Sequence, residues 1–170
     1  DKIRRAGEGE RDTRAMTGAA PDVVVHQLTS LPERFNPRRK DIYDPTNRVR
    51  REGTRNLLDA ARAAGANRFI CQSIAFAYQP AAQPEVMDEE APLAMDAPPP
   101  FGEGVRAIAE MERAVVEADG LVLRYGWFYG PGTYYAEDGS MTSEVRRRRF
   151  PIVGSGAGLW SFVHVDDAAA

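Results

Sequence analysis

The chain has 170 residues, with 25 acidic against 22 basic side chains, two His and one Cys. One cysteine excludes an intramolecular disulfide, two histidines leave no zinc-binding set, and a formal charge of −3 gives no general attraction to nucleic acid or anionic lipid. No apolar run approaches the roughly 20 residues of a spanning helix, and no signal-peptide order of charged, apolar and small residues occurs near the start.

The expectation is one globular, cytoplasmic domain, large enough to bury a core without staples and binding no metal, nucleic acid or membrane. The chain opens at Asp1 and ends in Asp166-Asp167-Ala168-Ala169-Ala170, the acidic first turn of a helix with no stop signal. It is therefore read as part of a larger protein, incomplete at both ends.

Residues 1–20, rich in Arg, Glu and Gly, read as a solvated helix or a poorly ordered lead-in. Val23 to Leu28 form an apolar run without polar alternation, as in a strand covered on both faces. After a loop from Thr29 to Asp44, Asp44-Pro45 opens a helix that runs to Ala64, with Leu57, Leu58, Ala61 and Ala64 on one stripe and Gly65 as its left-handed stop.

Phe69 to Ser73 is a second strand, and the Pro/Ala-rich stretch from Tyr78 to Pro100 is a long loop of the kind that covers a site or moves. A helix over about Glu103 to Ala118 carries Val105, Ile108, Ala109, Glu112, Val115 and Val116 near one face and stops at Asp119-Gly120. Leu121 to Tyr125 is a third strand. A short basic helix around Met141 to Arg149, a strand at Pro151 to Val153, a glycine turn and a strand over Leu159 to Val165 complete the chain.

Helices alternating with continuous apolar strands predict a doubly wound parallel α/β sheet, Rossmann-like. Ligands of such sheets lie beyond the carboxyl ends of the strands, which draws attention to His26, Gln27, Leu28 and Thr29, to Ser73 through Tyr78, to Tyr125 through Tyr129, and to His164 through Asp167.

Five segments at these positions carry a resemblance: Asp22-Val-Val-Val-His-Gln-Leu-Thr29, Gly53-Thr-Arg-Asn-Leu-Leu-Asp-Ala-Ala61, Arg68-Phe-Ile-Cys-Gln-Ser73, Leu123-Arg-Tyr-Gly-Trp-Phe-Tyr-Gly-Pro-Gly132 and Phe162-Val-His-Val-Asp-Asp167. In order and spacing the chain resembles the NAD-dependent epimerase/dehydratase family of extended short-chain dehydrogenase/reductases from about Pro21 onward. The resemblance implies a partial NAD(P)-binding domain over 21–170, with the substrate-binding part beginning near 133, after the lead-in over 1–20.

The sequence also departs from that family. No glycine-rich strand-to-helix turn precedes Pro21, and Gly154-Ser-Gly156-Ala-Gly158 reads as a turn between strands rather than a phosphate cradle, so NAD or NADP should be bound poorly by this chain alone. Phe101 and Val105 stand where the family carries a proton-transferring Tyr and its Lys, and neither can move a proton. Ile74 occupies the usual serine position and Ser73 lies one residue before it, on the opposite face of a strand. Tyr78, Tyr125, Tyr129 and His164 remain for acid/base work. Trp160 stands where many nucleotide-sugar enzymes of the family grip a diphosphate with Arg, which favours a smaller or more apolar substrate.

On this reading the candidate catalytic groups are Ser73 and Tyr78. The cofactor-lining candidates are His26, Gln27, Leu28, Thr29, Ser73, Tyr125 and Gly126, and the substrate-lining candidates are Trp127, Phe128 and Trp160. Each has a plainer alternative. His26 could be a core histidine bonded to a neighbouring loop, Ser73 a strand-end hydroxyl, and Trp127 and Phe128 core filling. Gly53, inside a helix, implies close approach of another backbone or of a cofactor, with helix-to-sheet packing preferred. Arg124 is read as a structural partner of Asp166 or Asp167, and Arg146 to Arg149 as a solvated helix end.

The resemblance implies an NAD(P)-dependent oxidoreductase or epimerase-like enzyme acting on a small hydroxyl- or carbonyl-bearing substrate, and a homodimer is compatible with it. A non-catalytic dinucleotide sensor is the alternative that Phe101 and Val105 raise, and an interaction module using the Arg-rich helix faces is a third.

Overall fold

The computed structural model describes residues 9–31, 41–80, 86–150, 152, 155–156 and 158–170. The elements are α1 (Gly9–Ala19), β1 (Val23–His26), α2 (Asp44–Arg48), α3 (Thr54–Ala64), β2 (Arg68–Ile74), α4 (Phe101–Glu117), β3 (Leu121–Tyr125), β4 (Trp127–Tyr129), α5 (Ser140–Arg146), β5 (Phe162–His164) and α6 (Val165–Ala169). Strands β1, β2 and β3 form one sheet in that order, and β4 and β5 pair separately in parallel. The described residues divide into two compact units, the first built on 9–31, 41–73, 77–80 and 87–123, the second on 74–76, 86, 124–150, 152, 155–156 and 158–170.

In the first unit β1 and β2 run parallel, in a register that sets Val24 beside Phe69 and His26 beside Cys71. Val24, Leu57, Ala61, Phe69, Cys71, Met111 and Val115 make one core, with Met16 of α1 and Leu58 of α3 packed against it. Of the two readings given to residues 1–20, a solvated helix or a poorly ordered lead-in, the described part is helical as α1, and it packs on α3 rather than standing in solvent. Burial in β1 alternates, and Val25 is 56% exposed, so among the described residues this strand is covered on one face rather than two. An unbroken valine run reports strand propensity but does not count the faces that are covered.

The expected helix from Asp44 to Ala64 is continuous but not uniform. It begins with Pro45 in the first turn, passes through a π-helical turn at Val49–Gly53 and resumes as α3. Gly65 then takes φ +72°, with its N–H on the Arg62 carbonyl and that of Ala66 on the Ala61 carbonyl, the paired closure that a left-handed terminal glycine permits. Helix α4 starts two residues earlier than expected, and it stops because Asp119, not Gly120, turns left-handed at φ +60°.

The long loop is tied down where it is described. Tyr78 bridges Leu93 antiparallel, Gln79 and Ala94 donate to the Pro92 and Ala77 carbonyls, and Arg106 of α4 holds the Met95 carbonyl at 2.6 Å.

In the second unit β4 pairs with β5 through Trp127 beside Phe162 and Tyr129 beside His164. The last strand is shorter than the expected Leu159 to Val165, because His164 already caps α6 through its Nδ1, which accepts the Asp166 N–H at 3.2 Å. Likewise α5 ends at Arg146, three residues before the end of its arginine run. Most of the expected Pro151 to Val153 strand lies outside the described residues, as do two positions of the glycine cluster, whose Gly156 takes φ +75°.

Candidate functional site

The carboxyl end of β1 is organised by His26, only 3% exposed. Its Nδ1 accepts the Leu28 N–H at 3.2 Å, so the proton of the neutral ring sits on Nε2, which donates to the Thr54 hydroxyl at 2.9 Å. Burial pushes its pKa down to about 4, in keeping with that neutral tautomer. The histidine thus ties the strand tip to the start of α3. Both ring nitrogens are engaged, which leaves the exposed Gln27 and Thr29 and the half-buried Leu28 to present main chain at this tip.

Along β2, Phe69, Cys71 and Ser73 are buried on one face while Ile70, Gln72 and Ile74 alternate with them. Ser73 is 3% exposed and donates to Oε1 of Glu112 at 2.5 Å, a charge-assisted bond that lets α4 keep a carboxylate on its buried face. The Cys71 thiol is pushed up to about 12, by burial first and by the Glu112 charge second, against the pull of Arg50. It is a core group rather than a nucleophile at neutral pH.

Arg50 lies on the π-helical turn, and burial holds its guanidinium down to about 10. Phe101 opens α4 at 37% exposure and Val105, one turn on, is fully buried, so neither position carries a proton donor or a cation.

Tyr78 is half-buried beside the returning loop. Gly53 departs from the sequence reading. Among the described residues a Cβ built there would meet only Val49, at 3.5 Å, so none of their backbone requires a glycine.

The second unit gathers aromatic rings. Trp127 stacks on Phe76 with centroids 4.1 Å apart and planes 9° from parallel. Tyr135 and Trp160 approach the Trp127 ring edge to face, each at 6.0 Å, and Tyr135 also meets Phe162. The Trp127 indole N–H is buried and has no hydrogen-bond partner among the described residues, whereas Trp160 stays 64% exposed. Burial raises the Tyr135 phenol above its ordinary pKa, which keeps it a neutral donor. Phe128 lies apart from this group against Tyr125, at 5.3 Å, and the Tyr125 hydroxyl reaches the Ala168 carbonyl at 3.4 Å. Gly126 has a structural reason to be glycine, since a Cβ would stand 2.5 Å from the Ser161 carbonyl oxygen.

Of the sequence candidates, the structure therefore joins Trp127 to Trp160 in one cluster and His26 to Leu28 at one strand tip. Four further residues went unselected: Arg50, Thr54, Glu112 and Tyr135. Arg50 and Glu112 had a readable signal, because each is a charge on the apolar stripe of its helix, Arg50 four residues before Thr54 and seven before Leu57. Phe76 lies within the Ser73 to Tyr78 stretch that the strand end singled out, whereas Tyr135 had no signal, being a single aromatic in irregular sequence.

A model of the NAD dependent epimerase/dehydratase family matches residues 9–170. The chain is 52% identical, over 158 residues, to a 3-diazoavenalumate denitrifying reductase of a Streptomyces species, a match covering 91% of this chain and 51% of the relative. Among solved structures, dTDP-glucose 4,6-dehydratase from Bacillus anthracis, in complex with NAD, has a TM-score of 0.72 at 18% identity, covering 96% of this chain and 50% of that one. UDP-glucose 4-epimerase from Thermotoga maritima, with UDP-glucose, has a TM-score of 0.72 at 22% identity, covering 96% and 54%.

The chain thus spans about half the length of the proteins it matches. The two structural likenesses establish the Rossmann-type fold, and the sequence matches go further. This chain belongs to the NAD dependent epimerase/dehydratase family.

Proposed function

We propose that the chain forms part of an NAD(P)H-dependent reductase that removes a diazo group from a planar, carboxylate-bearing substrate and puts hydrogen in its place. The observation that carries this reading is the pair Phe101 and Val105 at the head of α4, in a chain 52% identical to a denitrifying reductase. Reducing a carbonyl or epimerising a carbinol requires a group that moves a proton at oxygen, and these two side chains cannot do so.

Replacement of dinitrogen has no such need. When bound, a reduced nicotinamide supplies a hydride whose electron pair forms the new C–H bond, while the C–N bond of the diazonium form breaks and its pair leaves with N₂, so no proton is exchanged.

The residues fit such a cofactor in part. The tips of the parallel strands β1 and β2 present Gln27 to Thr29 as main chain where open α/β sheets receive a dinucleotide, while the sequence ahead of β1 holds no glycine-rich turn to cradle its pyrophosphate. In the second unit Trp127, Phe76, Tyr135 and Trp160 suit a flat, electron-poor ring, by stacking and by attraction of positive charge to their π faces. The Trp127 indole N–H would donate to an acceptor on that ring.

The test is turnover of diazotised aryl carboxylates by the intact protein, with NADH or NADPH deuterated at the transferring position. Deuterium on the carbon that lost nitrogen, with one N₂ released per nicotinamide oxidised, is the expected result. Deuterium arriving from heavy water instead, or cofactor binding without turnover, would favour the sensor reading.

A further inference from the structure

Helix α4 carries one charge on its buried stripe. Val105, Ile108, Met111 and Val115 are buried along it, and Glu112, 7% exposed, is the one buried carboxylate among the described residues. Apolar packing is non-directional, and the small buried residues Gly104 and Ala107 add nothing that would stop the helix from sliding. A buried carboxylate does stop it, because moving it off its donor leaves a desolvated charge unpaired. That donor is the hydroxyl of buried Ser73, at 2.5 Å.

Two close approaches show how the helix lies. Ser73, near the carboxyl end of β2, meets Glu112, while near the other end of that strand a Cβ built on Gly120 would stand 3.0 Å from the Phe69 carbonyl oxygen. The pairs run in opposite chain directions, so α4 is antiparallel to β2, and its first residues extend past the carboxyl end of the strand. Phe101 lies about 16 Å along the helix axis from Glu112. Because β1 runs parallel to β2, Gln27 to Thr29 leave the sheet on that same side.

Replacing a buried charged pair by apolar residues of similar volume is often neutral for stability, so a pair of this kind is better suited to setting register than to holding the fold together. We infer that Glu112 is a positioning residue: through Ser73 it fixes where α4 lies along β2, and with it the stand of the Phe101 to Val105 head beside the strand tips. The reaction served by that placement rests on the function proposed above, whereas the register does not.

The test separates position from stability. Ser73→Ala, Glu112→Met and the double variant are compared in the intact protein by thermal unfolding and by hydride transfer from NADPH to a diazotised aryl carboxylate. The double variant leaves neither partner buried alone and should melt close to the wild type, yet lose roughly tenfold or more in kcat. Its KM for NADPH should be unchanged, because His26 and Thr54, not α4, hold the strand tip at Gln27 to Thr29. Each single variant should lose about as much kcat as the double, since the two side chains act as one unit, and Glu112→Gln, which keeps an acceptor for Ser73, should regain most of it.

A stable double variant with wild-type kcat would overturn the inference, as would a kcat that merely follows the melting temperature through the series. Ser73→Ala losing far more than Glu112→Met would also overturn it, by placing the serine at the substrate itself. A wild-type protein that reduces no diazo compound would overturn the proposed function alone, and the backbone amide resonances of Phe101 to Val105 would then decide the register. Their displacement in the double variant, with Glu112→Gln close to wild type, is the expected result, and resonances unmoved in both would refute it.

Discussion

The His26 ring is a strut between β1 and α3, and its environment predicts a pH dependence. The folded state holds its pKa near 4, against an ordinary 6.5, so the unfolded chain binds a proton that the fold refuses. The stabilisation is complete above 6.5 and is lost progressively as pH falls toward 4, amounting to roughly 3 kcal/mol across that window. Urea unfolding of the wild type between pH 7 and 4 should show this slope, and His26→Gln should be less stable at pH 7 yet flatter over the same range. An identical slope in both would place the titration elsewhere. Ser73 invites a similar separation of roles, since its bond to Glu112 already accounts for its burial, and a part in the reaction would have to appear as a rate loss beyond the instability of Ser73→Ala.

At the scale of elements, two glycines of the family-like segments behave in opposite ways. Gly53 has helical dihedrals, φ −61° and ψ −42°, and room for a methyl group, so Gly53→Ala should stabilise the free protein by up to about 1 kcal/mol in thermal unfolding. If the same variant weakens NAD(P)H binding, the glycine is kept for the cofactor. Gly126→Ala should instead lower stability by roughly 1–3 kcal/mol, because its Cβ would meet the Ser161 carbonyl beside the β4–β5 pair. An unchanged melting temperature would count against that contact.

Sequence reading succeeded where signals were local and periodic, as in the Asp44-Pro45 start and the Gly65 stop, while β1 ends at His26, two residues before the expected Leu28, and β2 at Ile74, one beyond the expected Ser73. It missed the π-helical turn at Val49–Gly53, since no residue type marks an i to i+5 bond, and it miscounted the covered faces of β1. The site was partly legible: its strand tips follow from topology, whereas the partnership of Trp127 with Phe76 and Tyr135 depends on loop geometry that no period encodes.

Over the whole molecule, burial is uneven. Among the described residues nearly all the buried apolar side chains belong to the first unit, and Ala136 alone represents the second, where Leu159, Trp160 and Phe162 stand exposed. Opening free energy follows buried apolar contact, so amide exchange should be slowest in β2 and α4 and markedly faster in β4, β5 and α6. Uniform protection across both units would contradict this.

Cys71 offers an independent clock for such openings. It is the one thiol in the chain, it is fully inaccessible, and it touches the centre of the only large core among the described residues. An alkylating reagent can reach it only when strand and helices part, so labelling kinetics at rising reagent concentration would pass from a regime set by how often the core opens to one set by how fast. Both quantities could then be measured at native pH, without an engineered probe.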